Sequence, residues 1–236
     1  MSGHVDSPHG PAWLRVLVAA PGTVPDLLRD GAVSAAVLDG QGVAKPRLLG
    51  HVDFDYGEFV CRAELSTPVD EPTVSAGEVL QTDPRLPDAW WAGLRASLTA
   101  LAAVPTGRCP RTQQQIDRVL GTVYGPDLDT TVHTWATAHG DLRWSNLTAR
   151  TPVILDWEFW GTAPVGTDAA TLYCTSLLVP DVADEIRHRF ADVLDTSDGR
   201  LAQLGIIAQL LRHPDRADLA VALRVHAAGL GHPVRG

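Results

Sequence analysis

Three oxygen-bearing side chains gather in one short stretch of the sequence, HGDLRWSNLTARTPVILDWEFW (residues 139–160). Asp141 and Asn146 come just before two short apolar segments within 147–155, and Asp156 comes directly after them. If the two segments pair as an antiparallel hairpin, Asn146 and Asp156 meet at its open end. The sequence therefore predicts a polar cluster at one end of a β-hairpin.

This set of side chains has a definite chemistry. A carboxylate and an amide oxygen suit a hard cation such as Mg²⁺, which takes oxygen ligands and keeps waters or phosphate oxygens as well. A second carboxylate close by can accept a proton from a hydroxyl group. Phosphoryl transfer needs such a set, because its catalysis depends on positioning and on neutralising phosphate charge.

The elements that must position this cluster are a small strand-and-helix unit and a larger helical region. Residues 1–12 are polar and predict a disordered leader, and residues 66–88 are rich in Pro, Ser, Thr and Asp and predict a connector. Hydrophobic patterning predicts the regular elements. Strands are expected at 13–20, 47–54 and 58–65, and helices at 25–38, 88–104, 111–125, 128–138, 166–179, 181–194, 199–212 and 215–229.

Composition narrows the class of protein. Hydrophobic residues make up 45% and charged residues 20% of the 236 residues, which is ordinary for a globular protein. The net charge of −9 argues against a nucleic-acid partner. No apolar run is long enough to span a bilayer and no signal peptide is evident, so a cytoplasmic location and no membrane partner are expected. The chain has 18 arginines and one lysine, Lys45, and three cysteines without C-x-x-C spacing.

The run His139-Gly140-Asp141, followed by Asn146 and Asp156, resembles the catalytic core of the aminoglycoside phosphotransferase and choline kinase superfamily. The segments VILDWEFWGTAPVGTDAATLY and GVAKPRLLGHVDFD extend the resemblance, which covers about residues 13–230. It implies an α+β, protein-kinase-like fold of two lobes. The implied parts are a reduced N-terminal lobe at 13–67, a helical C-terminal lobe at 68–236, a catalytic loop at 139–146 and a metal-binding strand end at 153–158.

The resemblance also implies roles for individual residues. By position, Asp141 would be the catalytic base, and Asn146 and Asp156 would be the Mg²⁺ ligands. His139 would support the loop through hydrogen bonds, and Asp168 would brace the loop from the following helix. Taken singly, an aspartate or asparagine could equally be a turn or cap residue.

Further contacts are expected around this core. The backbone of Glu64, Leu65 and Ser66 would face the adenine of ATP. Tryptophans more often pack inside a protein than bind a ligand, but Trp144 lies within the catalytic loop and is predicted to contact substrate. Glu158 would support the metal through water or would be an exposed glutamate at a strand end.

The sequence departs from the family at its N-terminal end. The family has a glycine-containing loop over the ATP phosphates and a strand lysine paired with a helix glutamate. Neither is evident here, and Arg15 stands where the lysine would be. Arginine supplies a permanent charge that suits phosphate, although its geometry differs from that of lysine. A solvent-facing strand arginine is the alternative.

Two functions follow as hypotheses. The first is an ATP- and Mg²⁺-dependent phosphotransferase that acts on a hydroxyl of a small molecule or peptide. The second is a kinase-fold pseudoenzyme that binds a ligand or partner without turnover. A metal-dependent phosphohydrolase is a poorer third, since it would need more ligands. The expected partners are a nucleotide and a hydroxyl-bearing substrate, with a second copy of the chain or another protein as a candidate to cover the reduced lobe.

Overall fold

The computed structural model describes residues 1–212 and 217–234 and has an α+β fold, as the sequence predicts. A four-stranded antiparallel sheet forms the N-terminal part, with the strand order β1-β2-β4-β3. The sequence locates three of these strands to within three residues at either end, because their apolar residues repeat as expected for half-buried strands. The strands are β1 (Ser2–Ser7), β2 (Gly10–Ala19), β3 (Leu48–Tyr56) and β4 (Phe59–Ser66).

The predicted disordered leader is wrong. Residues Ser2–Ser7 form strand β1, which pairs antiparallel with β2 from Ser2 opposite Arg15 to Ser7 opposite Gly10. A polar sequence gives no periodic signal here, because an edge strand can be held by its backbone hydrogen bonds while its side chains stay exposed or half-buried.

The helix predicted at 25–38 is broken into short pieces. These are α1 (Asp26–Arg29), α2 (Gly31–Ser34) and a 3-10 helix at Ala35–Leu38. The interruption falls at Gly31, where a Cβ atom would lie 2.5 Å from the Cα atom of Glu158. Only glycine permits so close an approach of two backbones, so this position fixes the short helices against the segment that carries Asp156.

Most of the regular structure that follows the four-stranded sheet is helical. The helix at Gln113–Tyr124 (α4) begins at a capping box. In it, the Thr112 side chain accepts a hydrogen bond from the backbone N–H of Gln115, and the Gln115 side chain accepts one from the backbone N–H of Thr112. A two-stranded antiparallel sheet, β5 (Trp135–Ala138) with β6 (Gly161–Pro164), lies among these helices. The helices are α3 (Asp88–Ala102), α4 (Gln113–Tyr124), α5 (Thr167–Cys174), α6 (Pro180–Arg189), α7 (Ala191–Leu194), α8 (Ser197–Leu210) and α9 (Ala217–Gly229).

The helix predicted at 128–138 is also wrong. Its C-terminal end is strand β5, and the residues before it are irregular. The carboxylate of Asp198 accepts hydrogen bonds from the backbone N–H groups of His133 and Thr134, at 2.9 and 2.8 Å. These tertiary bonds and the β-branched residues of the segment outweigh its weak helical spacing.

The predicted hairpin at 147–155 is present only as a minimal pairing. One bridge joins Leu147 to Ile154, and the backbone N–H of Leu155 donates to the Asn146 carbonyl at 2.9 Å. Thr148 pairs in addition with Thr73 of the connector. Asn146 and the residue before Asp156 are therefore neighbours, although no regular ribbon forms.

The main core lies among the helices and is rich in tryptophan. Trp90, Trp91 and Trp144 are buried in mutual contact, with Trp90 and Trp144 stacked at 6.4 Å between ring centroids. The sheet is less covered, since Phe54 and Tyr56 of β3 are exposed. Within the described residues, no helix is long and apolar enough to cross a bilayer.

Candidate functional site

The loop that carries Asp141 is held by a buried carboxylate. Asp168, in the first turn of α5, accepts hydrogen bonds from the backbone N–H groups of His139 and Gly140, at 2.8 and 2.9 Å. Burial raises the pKa of Asp168, while nearby His139 and these two backbone bonds oppose the rise. The carboxylate thus fixes the direction in which the loop leaves β5.

Gly140 is required by the shape of this loop. Its φ is 79°, and a Cβ atom there would lie 2.6 Å from the carbonyl oxygen of Phe159. Neither the backbone angle nor the space suits any other residue. The loop is therefore pressed against the segment that follows Asp156.

His139 is completely buried and links the two halves of the site. Its Nε2 lies 2.9 Å from the carbonyl oxygen of Leu155, so Nε2 carries the proton and donates. Its ring packs edge-on against Trp157, and its Nδ1 has no partner among the described residues. This contact sets the position of Leu155 and hence of Asp156.

The carboxylate of Asp141 is paired with an arginine that sequence reasoning did not single out. Its Oδ1 lies 2.7 Å from Nε of Arg143, and Arg143 also pairs with Glu78 from the connector. Burial raises the pKa of Asp141, and the charge of Arg143 opposes that rise. Asn146 donates from Nδ2 to the backbone carbonyl of Asp141 at 2.9 Å, so its amide oxygen is the atom not engaged in this bond.

Asp156 stands in an unusual backbone conformation. Its φ of 64° lies in the left-handed region, which few non-glycine residues adopt and which aspartate and asparagine tolerate better than most. Its Oδ1 accepts a hydrogen bond from Nη1 of Arg15 at 3.0 Å. Glu158 also pairs with Arg15, and burial raises the pKa of Glu158 while Arg15 opposes the rise.

A cavity of about 500 Å³ lies between the four-stranded sheet and the segment 155–157. Arg15, Glu64 and Asp156 provide charged groups on its wall. Arg15 and Glu64 are direct cross-strand partners on β2 and β4, so both side chains point to the same face of the sheet. Ser66 lies two residues further along β4 and also lines the cavity, whereas Leu65 is not among its lining residues.

Glu64 is the least satisfied of these groups. It is 5% exposed, and its Oε1 has no hydrogen-bond partner among the described residues. Burial raises its pKa, against the opposing charges of Arg15 and Arg62. An unpaired oxygen in a cavity wall favours a ligand or water that donates a hydrogen bond.

Lys45 also lines this cavity, from the segment before β3. Its Nζ lies 2.5 Å from Oδ1 of Asp39, and its side chain is 4% exposed. The single lysine of the chain is thus near the site but held by its own carboxylate partner.

The prediction that Trp144 contacts substrate is wrong. Its side chain is completely buried, stacks on Trp90 and donates from Nε1 to Oγ of Ser176 at 2.9 Å. The 3-10 helix at Trp144–Asn146 turns the Trp144 side chain into the core. Trp144 supports the loop by packing.

Asn146 and Asp156 carry oxygen atoms of the kind that bind a magnesium ion. Within residues 1–212 and 217–234, no group of three or more His, Cys, Asp and Glu side chains is placed to hold a metal. Mg²⁺ demands fewer protein ligands than that, because it keeps water and phosphate oxygens. The amide oxygen of Asn146 and the carboxylate of Asp156 are donors of the right type, so the residues present fit that ion.

No protein-family model matches the chain, and no curated protein shows a significant match to its sequence.

Proposed function

We propose that this protein is a phosphotransferase that moves the γ-phosphoryl group of ATP to a hydroxyl group, with Mg²⁺ as cofactor. The proposal includes a two-lobe, protein-kinase-like fold, with the four-stranded sheet as the reduced N-terminal lobe. One observation carries it most strongly. Asp156 lies on the wall of the cavity of about 500 Å³ and directly follows Leu155, which bonds to the loop that bears Asp141.

In this proposal the nucleotide occupies the cavity between the sheet and the segment 155–157. Asn146 and Asp156 would hold Mg²⁺, which neutralises phosphate charge when it is bound. Arg15 adds a fixed positive charge at the same end of the cavity. The unpaired Oε1 of Glu64 is available to a hydrogen-bond donor of the nucleotide.

The transfer itself depends on Asp141. Its carboxylate accepts the proton of the acceptor hydroxyl while the oxygen of that hydroxyl bonds to the γ-phosphorus. The bond from the γ-phosphorus to the β–γ bridging oxygen breaks, and ADP leaves. Arg143 holds the Asp141 carboxylate in place, and Asp168 and His139 hold the loop.

A second candidate function is a kinase-fold binding protein without turnover. It is favoured by the ion pairs of the carboxylates, since Asp141 is held by Arg143 and Asp156 by Arg15. A phosphotransferase must release these groups at least partly when substrate binds. The two candidates differ in whether nucleotide binding leads to transfer.

Calorimetric titration with ATP, with and without Mg²⁺, tests the proposal. A phosphotransferase binds ATP more tightly with Mg²⁺ and releases ADP in the presence of an acceptor. If ATP binds in a magnesium-dependent way but no ADP is released with any of a broad set of hydroxyl compounds, the binding protein is favoured. Absence of any ATP binding would contradict the phosphotransferase.

A further inference from the structure

A second, smaller recess is separate from the larger cavity and shares none of its lining residues. It measures about 50 Å³ and is bounded by Gly140, Thr167 and the guanidinium-bearing side chain of Arg111. The rest of its wall is mostly apolar, with Phe159 and Ile206 among its residues. Because Gly140 directly precedes Asp141, this recess is next to the proposed base.

Arg111 is a half-buried arginine that has no carboxylate partner within residues 1–212 and 217–234. Its Nη2 donates to the amide oxygen of Gln209 at 2.5 Å, and it forms no ion pair with a carboxylate in the part of the chain that the structure describes. Burial lowers the pKa of Arg111, and the negative charge of Asp141 opposes this effect. A guanidinium has five N–H donors, so most of them are left for another group.

The two arginines nearest the proposed catalytic groups differ from Arg111, because both form ion pairs. Arg143, on the same loop as Asp141, pairs with Asp141 and Glu78. Arg15 pairs with Asp156 and Glu158. A desolvated cation is unfavourable unless a counter-charge completes it, and a bidentate carboxylate is the group that best fits a guanidinium.

We propose that Arg111 binds a carboxylate group of the phosphoryl acceptor, so that the acceptor is a small hydroxy acid. This inference rests on the proposed phosphotransferase function and names its substrate class. The carboxylate binds Arg111 in the recess, and the hydroxyl lies toward Asp141. The proton of the hydroxyl goes to Asp141, the new oxygen–phosphorus bond forms on the γ-phosphoryl group, and ADP departs.

The size and charge of the recess favour this class over others. A volume of about 50 Å³ holds a carboxylate and a few atoms attached to it, but not a sugar ring. A cationic acceptor would meet the guanidinium of Arg111 and be repelled. The net charge of −9 weakens long-range attraction of any anion, so selection must come from the local contact.

The test compares matched small probes on the whole protein. 3-Hydroxypropanoate, propanoate and 1,3-propanediol share a three-carbon chain and differ in which end groups they carry. Binding is measured by calorimetry and by the shift in melting temperature, without nucleotide, and transfer is measured separately as ADP release with ATP and Mg²⁺. Glycerol phosphate is included to distinguish a phosphate group from a carboxylate.

The wild-type protein should bind 3-hydroxypropanoate and propanoate about equally and bind the diol at least about tenfold more weakly, because only the acids have a charge-assisted bond to Arg111. In the presence of ATP and Mg²⁺, only the hydroxy acid 3-hydroxypropanoate should cause ADP release. Equal binding of acid and diol, or no binding of either acid, would overturn the proposal. Preference for glycerol phosphate would overturn the choice of a carboxylate.

Variants of Arg111 test whether this residue binds the carboxylate of the acids. Arg111→Gln should weaken binding of both acids about tenfold or more, Arg111→Lys should weaken it less, and the exposed Arg118→Gln on the same stretch of chain should change nothing. Acid binding that persists in Arg111→Gln would overturn the proposal. Should Arg111→Gln fail to fold, the acid–diol comparison on the wild type decides alone. If the wild-type protein binds no ATP, the proposed function is contradicted. If the wild-type protein binds ATP normally but binds neither acid, only this inference is contradicted.

Discussion

The guanidinium of Arg15 reaches from strand β2 to Asp156, with Nη1 3.0 Å from Oδ1 across the wall of the larger cavity. The two residues are 141 positions apart in the chain. This contact joins the four-stranded sheet to the end of the segment that His139 positions. It also places a fixed cation where the proposal puts the nucleotide phosphates.

Replacement of Arg15 tests this contact. Arg15→Gln should lower the free energy of unfolding by about 1 kcal/mol, because the pairs with Asp156 and Glu158 are partly exposed. It should also weaken ATP binding by about tenfold, since a charge-assisted bond to phosphate is lost. Urea denaturation and calorimetry measure the two effects. Arg118→Gln is the control, and unchanged ATP affinity in Arg15→Gln would remove Arg15 from the nucleotide site.

The carboxylate of Asp156 is best tested with asparagine. Asp156 has a φ of 64°, and asparagine tolerates this conformation better than alanine does. Asp156→Asn should therefore fold normally but lose the extra rise in melting temperature that Mg²⁺ adds to ATP. Asp156→Ala should lose the same rise and be less stable by about 1 kcal/mol more. A full magnesium effect in Asp156→Asn would contradict the assignment of this residue as a ligand.

Gly31 offers a test of how the short helices are fixed. A Cβ atom would lie 2.5 Å from both the Cα atom of Glu158 and the carbonyl oxygen of Trp157. Gly31→Ala should cost about 2 kcal/mol or more, because backbone atoms must move. In Gly121→Ala, on α4, the new Cβ meets nothing within 4 Å, and the better helix propensity should add about 0.5 to 1 kcal/mol. Thermal unfolding of both variants checks the opposite signs.

Much of the fold follows from local patterns in the sequence. The strands β2, β3 and β4 and the helix α3 show the expected periodicity, and Thr112 and Gln115 mark the start of α4. The elements that sequence analysis misses depend on distant partners. Strand β1 is held by the backbone of β2, and the irregular segment before β5 is held by Asp198. Neither partner leaves a signal in the segment itself.

The candidate site also has residues that the sequence predicts and contacts that it does not predict. The motif spacing identifies Asp141, Asn146 and Asp156 as a group, since the turn between them is short. It does not identify Arg143 as the partner of Asp141, or Arg111 as a lining residue of the second recess. Those contacts arise from chain direction and packing over longer distances. The one visible signal was the large excess of arginine over lysine, which suggests that arginines fill several roles.

A half-buried histidine, His226, gives a prediction about the pH dependence of stability. His226 on α9 has its Nε2 2.8 Å from the side-chain oxygen of Gln203 on α8, and burial lowers the pKa of His226. The unfolded chain therefore binds a proton more readily than the folded one as pH falls below about 6.5. Wild-type stability should fall with pH in this range, and His226→Gln should lose that component. Urea denaturation from pH 7.5 to 5 measures it, with the exposed His188→Gln as control; equal pH dependence in wild type and His226→Gln would contradict the prediction.

Asp168 and Asp198 make a matched pair, since each carboxylate accepts two backbone N–H groups. Replacement of Asp168 by alanine leaves the backbone donors of His139 and Gly140 without a partner and should cost about 3 kcal/mol, because each buried donor costs about 1 to 3 kcal/mol. Asp198→Ala should cost less, because His133 and Thr134 are exposed residues whose N–H groups water can reach. The two should differ in function. Asp168 holds the loop that carries Asp141, whereas Asp198 holds the segment before β5.

At a temperature where both variants are folded, Asp168→Ala should lower the turnover number for phosphoryl transfer by about a hundredfold, because displacement of the base by about 1 Å has an effect of that size. Asp198→Ala should lower it little, and ATP affinity should be similar in both. Transfer rates of the two variants, measured at equal folded fractions, show whether Asp168 positions the catalytic base or only stabilises the protein. Equal losses of turnover in the two variants would show that Asp168 acts only through stability.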